Sequence, residues 1–199
     1  MRATISWTGQ DNAGGSGITR YTLQRSINGG SYSTVSSSLT KTSLDVLVAN
    51  GSTYRFRVRG LDRDGNVSSY ATGASFKGAL SQQTSGAIVY SSGWSTQSST
   101  SYSGGSVKYR SVNDATATFT FTGRSVSWVA TKGTTRGVAY VYVDNALRAY
   151  VDLYASSTKY RQQVFQYAWA TSGSHTVRVT VWGTPSRPRV DVDAFAVLR

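Results

Sequence analysis

Alternation of apolar and polar residues is the dominant pattern along the chain. Apolar side chains recur at every second position in short runs, whereas the i, i+3, i+4 spacing of an amphipathic helix is nowhere sustained. In one run, Tyr54, Phe56 and Val58 alternate with three arginines. Because successive side chains of a strand point to opposite faces, this pattern predicts an all-β protein.

The predicted strands form two groups. Small and polar residues interrupt the pattern between residues 76 and 90, so we expect a domain boundary there. We predict a first domain at 1–77, a linker at 78–87 and a second domain at 88–199. Predicted strands of the first domain are 3–8, 20–26, 31–36, 43–48, 54–61 and 68–76; those of the second are 87–91, 106–110, 115–122, 125–130, 137–143, 147–154, 162–169, 175–182 and 188–198.

The first group resembles a known module. Trp7 lies on an early strand, Tyr54 opens a late one, and "GLDRDGNVSSY" follows, which is similar to the bacterial fibronectin type III module over residues 1–77. The resemblance implies an immunoglobulin-like β-sandwich in which the tryptophan fills the core and the tyrosine hydroxyl bonds back to the backbone. The module has a strand before the Trp7 strand, so that strand is missing here or another chain supplies it.

The arginines of this domain pose a question about partners. If Tyr54, Phe56 and Val58 face the core, then Arg55, Arg57 and Arg59 form a row on the outer face. We interpret the row as solvated cations. A nucleic-acid site would also need, beside the arginines that bind phosphate, side chains that stack on the bases or hydrogen-bond to their edges. The neighbouring predicted strands offer mainly Thr, Ser and Gln.

The second group predicts two packed sheets and an exposed aromatic face. Val141 and Val143 belong to an inner apolar face, so Tyr140 and Tyr142 are expected to point outward. By the same rule Trp182 points away from the core. Because aromatic rings stack on sugar rings, these residues are candidates for a carbohydrate platform, with Trp94 at its rim. The alternative is that they are ordinary strand exteriors.

This half also resembles a known module. "GWSTQSSTSYSGGSVKYRS" and "SGSHTVRVTVWGTPSRPRVDVDAFAVL" are similar to a jelly-roll module of exported bacterial proteins, over about residues 88–198. It is similar in outline to carbohydrate-binding β-sandwich modules that hold structural calcium. In those relatives an Asp on the last strand helps to bind the ion; Asp193 matches it, but "AIVYSS" offers no acid for the other position. No cofactor is therefore expected, with structural calcium as the open alternative.

Paired cations mark three predicted loops. They are Lys132 with Arg136, Lys159 with Arg161, and Arg187 with Arg189. If the pairs gather at one end, an acidic polysaccharide or a teichoic-type polymer is a suitable partner. If they do not, they are ordinary solvated charges that can pair with Asp191 and Asp193, which we expect on the strand surface.

Composition narrows the function classes. The net charge is +12 from 21 Lys and Arg against 9 acids, but the excess is spread along the chain without a basic run, so nucleic acid is not the expected partner. All acids are Asp, His175 is the single His, and Cys is absent. This acid–base inventory predicts that the protein is not an enzyme. No apolar run is long enough to span a membrane, so no membrane insertion is expected.

The combined prediction is two tandem β-sandwiches, a fibronectin type III spacer and a jelly roll, on a secreted or cell-surface bacterial protein. The predicted function is non-catalytic binding of a polysaccharide or cell-wall glycan. Predicted ligand-binding residues are Tyr140, Tyr142, Trp182, Trp94, Lys132, Arg136, Lys159 and Arg161. The alternative is a structural repeat of a surface or filament protein that contacts neighbouring copies of itself.

Overall fold

The computed structural model describes residues 1–199 and contains sixteen strands, one 3₁₀ turn at Ser103–Gly105 and no α-helix. The all-β prediction is confirmed. The chain divides into two compact units, which we call unit 1 (Met1–Ala79) and unit 2 (Leu80–Arg199). Strand β7 (Phe76–Gln82) runs through this division, so a strand occupies part of the predicted linker.

Unit 1 has six further strands. Their bounds are β1 Arg2–Ser6, β2 Ile18–Ile27, β3 Ser33–Leu39, β4 Ser43–Leu47, β5 Thr53–Asp62 and β6 Ala71–Thr72. Strands β1 and β4 form an antiparallel pair, while β2 pairs with β3 on one side and β5 on the other. Alternate residues of these strands supply the core, which includes Ala3, Tyr21, Leu23, Val46, Val48, Tyr54 and Phe56.

The hydrogen bond that the resemblance implied for Tyr54 is present. The backbone amide of Ala49 donates to the Tyr54 hydroxyl oxygen at 2.8 Å. Trp7 is half-buried, and its ring meets that of Tyr21 edge to face with centroids 5.7 Å apart. These contacts join the loop before β5 and the end of β1 to the core of unit 1.

Unit 2 contains the remaining strands. They are β8 Ile88–Tyr90, β9 Ser95–Ser98, β10 Ser106–Arg110, β11 Thr116–Lys132, β12 Val138–Val143, β13 Ala146–Asp152, β14 Lys159–Val181, β15 Val190–Val192 and β16 Ala194–Leu198. One sheet has the order β15-β10-β9, and the other contains the run β13-β12-β14-β11 with β8 and β16 both paired to β11. The core between them is rich in valine and phenylalanine around the fully buried Trp128.

Two long strands replace four predicted ones. The sequence predicts turns at "TGR" and "TSGSH", but β11 and β14 continue through both, with Gly123 opposite Gly173. A register shift between Gly123 and Ser125 reverses the alternation, since odd-numbered residues face the core before it and even-numbered residues after it. The glycines therefore mark an irregularity inside a continuous strand.

The predicted register of β12 is confirmed. Val141 and Val143 are 0% and 1% exposed, while Tyr140 and Tyr142 between them lie on the other face. Trp182, which directly follows β14, is 49% exposed. The inner valines thus leave an aromatic row on the outer face of this sheet.

Candidate functional site

An aromatic surface covers the outer face of strands β12, β13 and β14. We use this name for Tyr140, Tyr142, Tyr150, Arg178 and Trp182. Tyr140 lies opposite Tyr150 on β13, and Tyr142 lies opposite Arg178 on β14. Trp182 is placed beside them because its backbone amide donates to the Val138 carbonyl at 3.0 Å. The other four side chains stand on strands whose opposite face is part of the core.

Three of the rings are in mutual contact. The Tyr140 centroid is 4.7 Å from the Trp182 centroid and 4.9 Å from the Tyr150 centroid, at interplanar angles of 49° and 88°. Tyr150 is 68% exposed, so the cluster offers apolar ring area to solvent. Contacts of this geometry fix ring orientation without burying the outer ring faces.

Polar groups border the rings. The Arg178 guanidinium carbon lies 4.4 Å from the Tyr142 ring centroid, and Thr118 is the cross-strand neighbour of Arg178. Desolvation is the main cause of a raised pKa at Tyr140, and nearby Tyr150, Tyr142 and Asp114 add to it. The Tyr140 hydroxyl is therefore protonated at neutral pH and can both donate and accept a hydrogen bond.

The sequence analysis did not identify two members of the aromatic surface, Tyr150 and Arg178. The turn Asp144–Asn145 has positive φ at both residues, 50° and 65°, as a two-residue hairpin requires. The motif "VDNA" predicts a turn between strands 137–143 and 147–154, and the structure pairs β12 with β13 across it. However, a register shift between Val141 and Tyr142 changes the pairing, so Tyr150 could not be placed opposite Tyr140 by counting from the turn.

Trp94 lies away from the aromatic surface. Its ring centroid is 5.1 Å from that of Tyr90, and its indole nitrogen donates to the Ser91 hydroxyl at 3.4 Å. Trp94 is half-buried against the core of unit 2. Its position indicates a packing role for the ring, so we leave it out of the proposed surface.

The three basic loops do gather, but internal partners occupy most of their cations. Arg136 and Arg189 form an isolated β-bridge, which joins the first loop to the third. Lys132 is the cross-strand partner of Lys159, which joins the first loop to the second. The Arg136 Nε donates to one oxygen of Asp191 at 2.9 Å and the Arg189 Nε to the other at 2.6 Å. Asp191 was expected on the strand surface and is instead fully buried. Because its carboxylate is shared by two guanidinium groups, Arg136 is not free to contact a ligand.

Two further arginines of these loops are also engaged. Arg187 forms a bidentate salt bridge with the Asp152 carboxylate: its Nη1 and Nη2 donate to the two oxygens at 2.6 and 3.0 Å. Arg161 donates to the backbone carbonyls of Thr100, Ser101 and Tyr102 at distances of 2.8, 3.0 and 3.0 Å. Lys132 and Lys159 remain as the cations of this group with neither an ion pair nor a side-chain hydrogen bond to a backbone carbonyl.

The residues around Asp193 do not fit a calcium ion. Asp193 is fully buried, not on the strand surface as expected, and both its oxygens accept from the Ser103 amide, at 2.9 and 3.1 Å. The guanidinium of Arg161 already occupies the nearby carbonyls, whereas calcium requires six to eight oxygen ligands. The structure contains no group of three His, Cys, Asp or Glu side chains that could hold a metal.

His175 lies inside the continuous strand β14, whereas the sequence predicts a strand that begins at this residue. Its Nδ1 is 2.8 Å from an Asp144 carboxylate oxygen, and its ring stacks on Trp169 with centroids 3.7 Å apart. The Asp144 pKa is lowered: desolvation opposes the shift, but hydrogen bonds from the Thr176 amide and His175 outweigh it. No serine hydroxyl is hydrogen-bonded to the imidazole, so a nucleophile is lacking from this His–Asp pair.

Comparisons with known proteins point to carbohydrate-active enzymes. No family model matches the chain. The chain is 28% identical over 110 residues to "A type blood alpha-D-galactosamine galactosaminidase" of Flavonifractor plautii, covering 55% of this chain and 10% of that relative. It is 29% identical over 109 residues to "A type blood N-acetyl-alpha-D-galactosamine deacetylase" of the same organism, covering 55% of this chain and 14% of that relative.

A solved structure supports the fold. A two-domain esterase active on acetylated mannans superposes with a TM-score of 0.50 at 16% identity, covering 61% of this chain and 36% of the esterase. At this identity the likeness concerns the fold alone.

A membrane-spanning helix is absent, since none of the helical segments has the length and hydropathy that crossing a bilayer requires.

The prediction that the protein is not an enzyme is wrong as it stands. Both curated relatives are named as enzymes. The chain spans only a small part of the curated relatives it matches. The acid–base inventory of these 199 residues therefore does not decide whether the protein is an enzyme.

Proposed function

We propose that the chain is a glycan-binding part of a carbohydrate-active enzyme and that the aromatic surface of unit 2 contacts the sugar. The observation that carries the proposal is the contact of Trp182 with Tyr140, and of Tyr140 with Tyr150, on the outer face of a sheet. Similarity to two enzymes named for galactosamine substrates supports a glycan as the ligand. In this proposal, the chain binds the glycan on which the enzyme acts.

The chemistry of the surface favours a sugar ring. The C–H faces of a pyranose are apolar and pack on aromatic rings, while its hydroxyls need hydrogen-bond partners at the rim. Exposed ring area is available on Tyr150 and Trp182, which are 68% and 49% exposed. Arg178 and Thr118 lie next to each other at one side, where they can pair with hydroxyl groups.

A neutral glycan suits this surface better than an acidic one. The cation of the surface, Arg178, is stacked on Tyr142. The basic loops are a poor source of further charge, because Arg136, Arg187 and Arg189 are paired with carboxylates. Lys132 and Lys159 stand in the same loop group and not on the aromatic surface.

The test is binding to a glycan array that includes terminal N-acetylgalactosamine and neutral polysaccharides. Trp182→Ala and Tyr140→Ala should each weaken binding of the positive glycan by about tenfold, the effect of ~1.4 kcal/mol. The control is Tyr154→Ala, which removes an exposed tyrosine outside the aromatic surface and should leave binding unchanged. Absence of binding to any glycan, or equal loss in the control, would contradict the proposal.

The module identities and the location follow as part of the same proposal. We infer that unit 1 is a fibronectin type III module, supported by the Ala49–Tyr54 hydrogen bond, and that unit 2 is a jelly-roll module. A cell-wall glycan or environmental polysaccharide lies outside the cell, so we propose a secreted or cell-surface bacterial protein. Fractionation of the source cells with an antibody to unit 2 tests this, and signal confined to the cytoplasm would overturn it.

A further inference from the structure

The arginine row of unit 1 is not matched by acids. Arg55, Arg57 and Arg59 alternate along β5 with the core residues Tyr54 and Phe56. None of the three forms an ion pair within the protein. Unit 1 carries nine basic and four acidic side chains, which gives +5. Three neighbouring cations without counterions are a surface that attracts anions.

Arg57 is held between two aromatic rings. Its guanidinium carbon lies 4.0 Å from the Tyr32 ring centroid and 4.1 Å from the Tyr70 ring centroid. Tyr70 also contacts the next arginine of the row, with the Arg59 guanidinium carbon 4.9 Å from its centroid. The sequence analysis placed both tyrosines in predicted strands, 31–36 and 68–76, and found no aromatic partner for the row; in the structure Tyr32 precedes β3 and Tyr70 precedes β6.

A hydrogen bond orients the guanidinium further. The Arg57 Nε donates to the Gln24 side-chain oxygen at 2.8 Å, and the Gln24 amide donates to the Thr34 hydroxyl at 3.3 Å. The terminal nitrogens of Arg57 make no hydrogen bond within the protein. Two stacked rings and a bound Nε thus fix the plane of the group while its outer N–H groups stay open. A fork held in this way loses little rotamer freedom when it binds an oxyanion.

We propose that this face of unit 1 binds a carboxylate-bearing polysaccharide, with Arg57 as the bidentate contact and Arg59 as the second cation. Alternate residues of a strand are about 6.7 Å apart, so the two cations can meet successive charges of a linear polymer. Tyr32 and Tyr70 already stack on Arg57. This favours a polyuronate over single-stranded nucleic acid, whose bases need free aromatic faces.

The proposal is independent of the aromatic surface. It uses residues of unit 1 only, so it stands or falls separately from glycan binding by unit 2. The two are distinguished by testing Trp182→Ala for polyuronate binding, which should be unchanged. If Trp182→Ala abolishes it, the polymer binds unit 2 and the proposal for unit 1 is wrong.

The experiment is affinity electrophoresis and calorimetry of the full chain with polygalacturonate. Binding is expected, and a fully methyl-esterified polymer should bind at least about tenfold more weakly because it lacks the carboxylates. Arg57→Lys keeps the charge but loses the fork, and should weaken binding by about tenfold. The matched control is Arg63→Lys, an exposed arginine outside the row, with no expected change.

Several outcomes would overturn the proposal. They are no binding of polygalacturonate, equal binding of the esterified polymer, or Arg57→Lys binding as well as the parent. Tighter binding of single-stranded oligothymidylate than of polygalacturonate would assign the face to nucleic acid instead. Arg59→Lys serves as a second variant, and unchanged thermal unfolding of each variant shows that lost binding is not lost folding.

Discussion

The carboxylate of Asp193 accepts both of its hydrogen bonds from one backbone amide, that of Ser103. This pairing leaves a buried acid with little compensation for lost water. Desolvation raises the Asp193 pKa from 3.8 to about 6, and the Asp191 charge adds to the shift, against the Ser103 hydrogen bond and Arg161. Ionisation of this residue therefore costs stability in the folded state.

We expect Asp193 to make unit 2 less stable as pH rises. Its folded pKa lies above the unfolded value, so its contribution is full below pH 3.8 and is lost as the pH passes from there to about 6. Asp193→Asn cannot ionise, so its free energy of unfolding relative to the parent should increase from pH 4 to pH 7 by on the order of 3 kcal/mol. Urea unfolding followed by tryptophan fluorescence measures this, since Trp7 is the one tryptophan outside unit 2.

A contrasting control is Asp152→Asn. The hydrogen bond from Arg187 is the main cause that lowers the Asp152 pKa, so this residue contributes stability above pH 3.8 that is lost as the pH falls. The two variants should therefore respond to pH in opposite directions. A parent-like pH dependence in Asp193→Asn would contradict the assignment.

Removing the carboxylate of Asp191 should destabilise unit 2 strongly. Asp191 is fully buried and joins Arg136 to Arg189, so its loss leaves two guanidinium groups without their counterion. We expect Asp191→Asn to lower the free energy of unfolding by about 3 kcal/mol. The exposed pair Arg2–Asp45 provides the comparison, and Asp45→Asn should cost less than about 1 kcal/mol. Equal losses in denaturant unfolding would show that burial is not the cause.

Arg161 should stabilise unit 2 without any added metal. Its guanidinium binds the carbonyls of Thr100, Ser101 and Tyr102. Arg161→Ala is expected to lower the free energy of unfolding by about 2 kcal/mol, since three acceptors lose a charged donor. The matched control is Lys159→Ala, an exposed cation on the same strand, with an expected change below about 0.5 kcal/mol. Two results together would contradict this stabilising role of Arg161: calcium raises the melting temperature of the parent, and Arg161→Ala leaves the melting temperature unchanged.

The Tyr54 hydroxyl should anchor the loop before β5. It accepts a hydrogen bond from the Ala49 amide, so Tyr54→Phe should destabilise unit 1 by about 1 kcal/mol. Amide hydrogen exchange at Ala49 should also become faster. Tyr32→Phe is the control, because Tyr32 contributes its ring to Arg57 and its hydroxyl to no hydrogen bond in the protein. Unchanged exchange at Ala49 would contradict the anchoring role.

Side-chain direction along each strand was readable from the sequence alone. The period of two puts Val141 and Val143 on one face and Tyr140 and Tyr142 on the other, and the apolar valines identify the inner face. The all-β class followed from the same pattern. What the pattern could not reveal was that β11 and β14 continue through Gly123 and Gly173, since a glycine that interrupts the alternation can mark a bulge as well as a turn.

Contacts across strands and between loops were decided only by the tertiary structure. The pairing of Tyr140 with Tyr150 depends on a register shift that leaves no mark in the spacing of apolar residues. Likewise, Asp191 and Asp193 are polar in sequence but buried in the fold, where Asp191 is paired with Arg136 of a distant loop and Asp193 accepts from the distant Ser103 amide. Such compensation is set by long-range geometry, and local alternation carries no information about it.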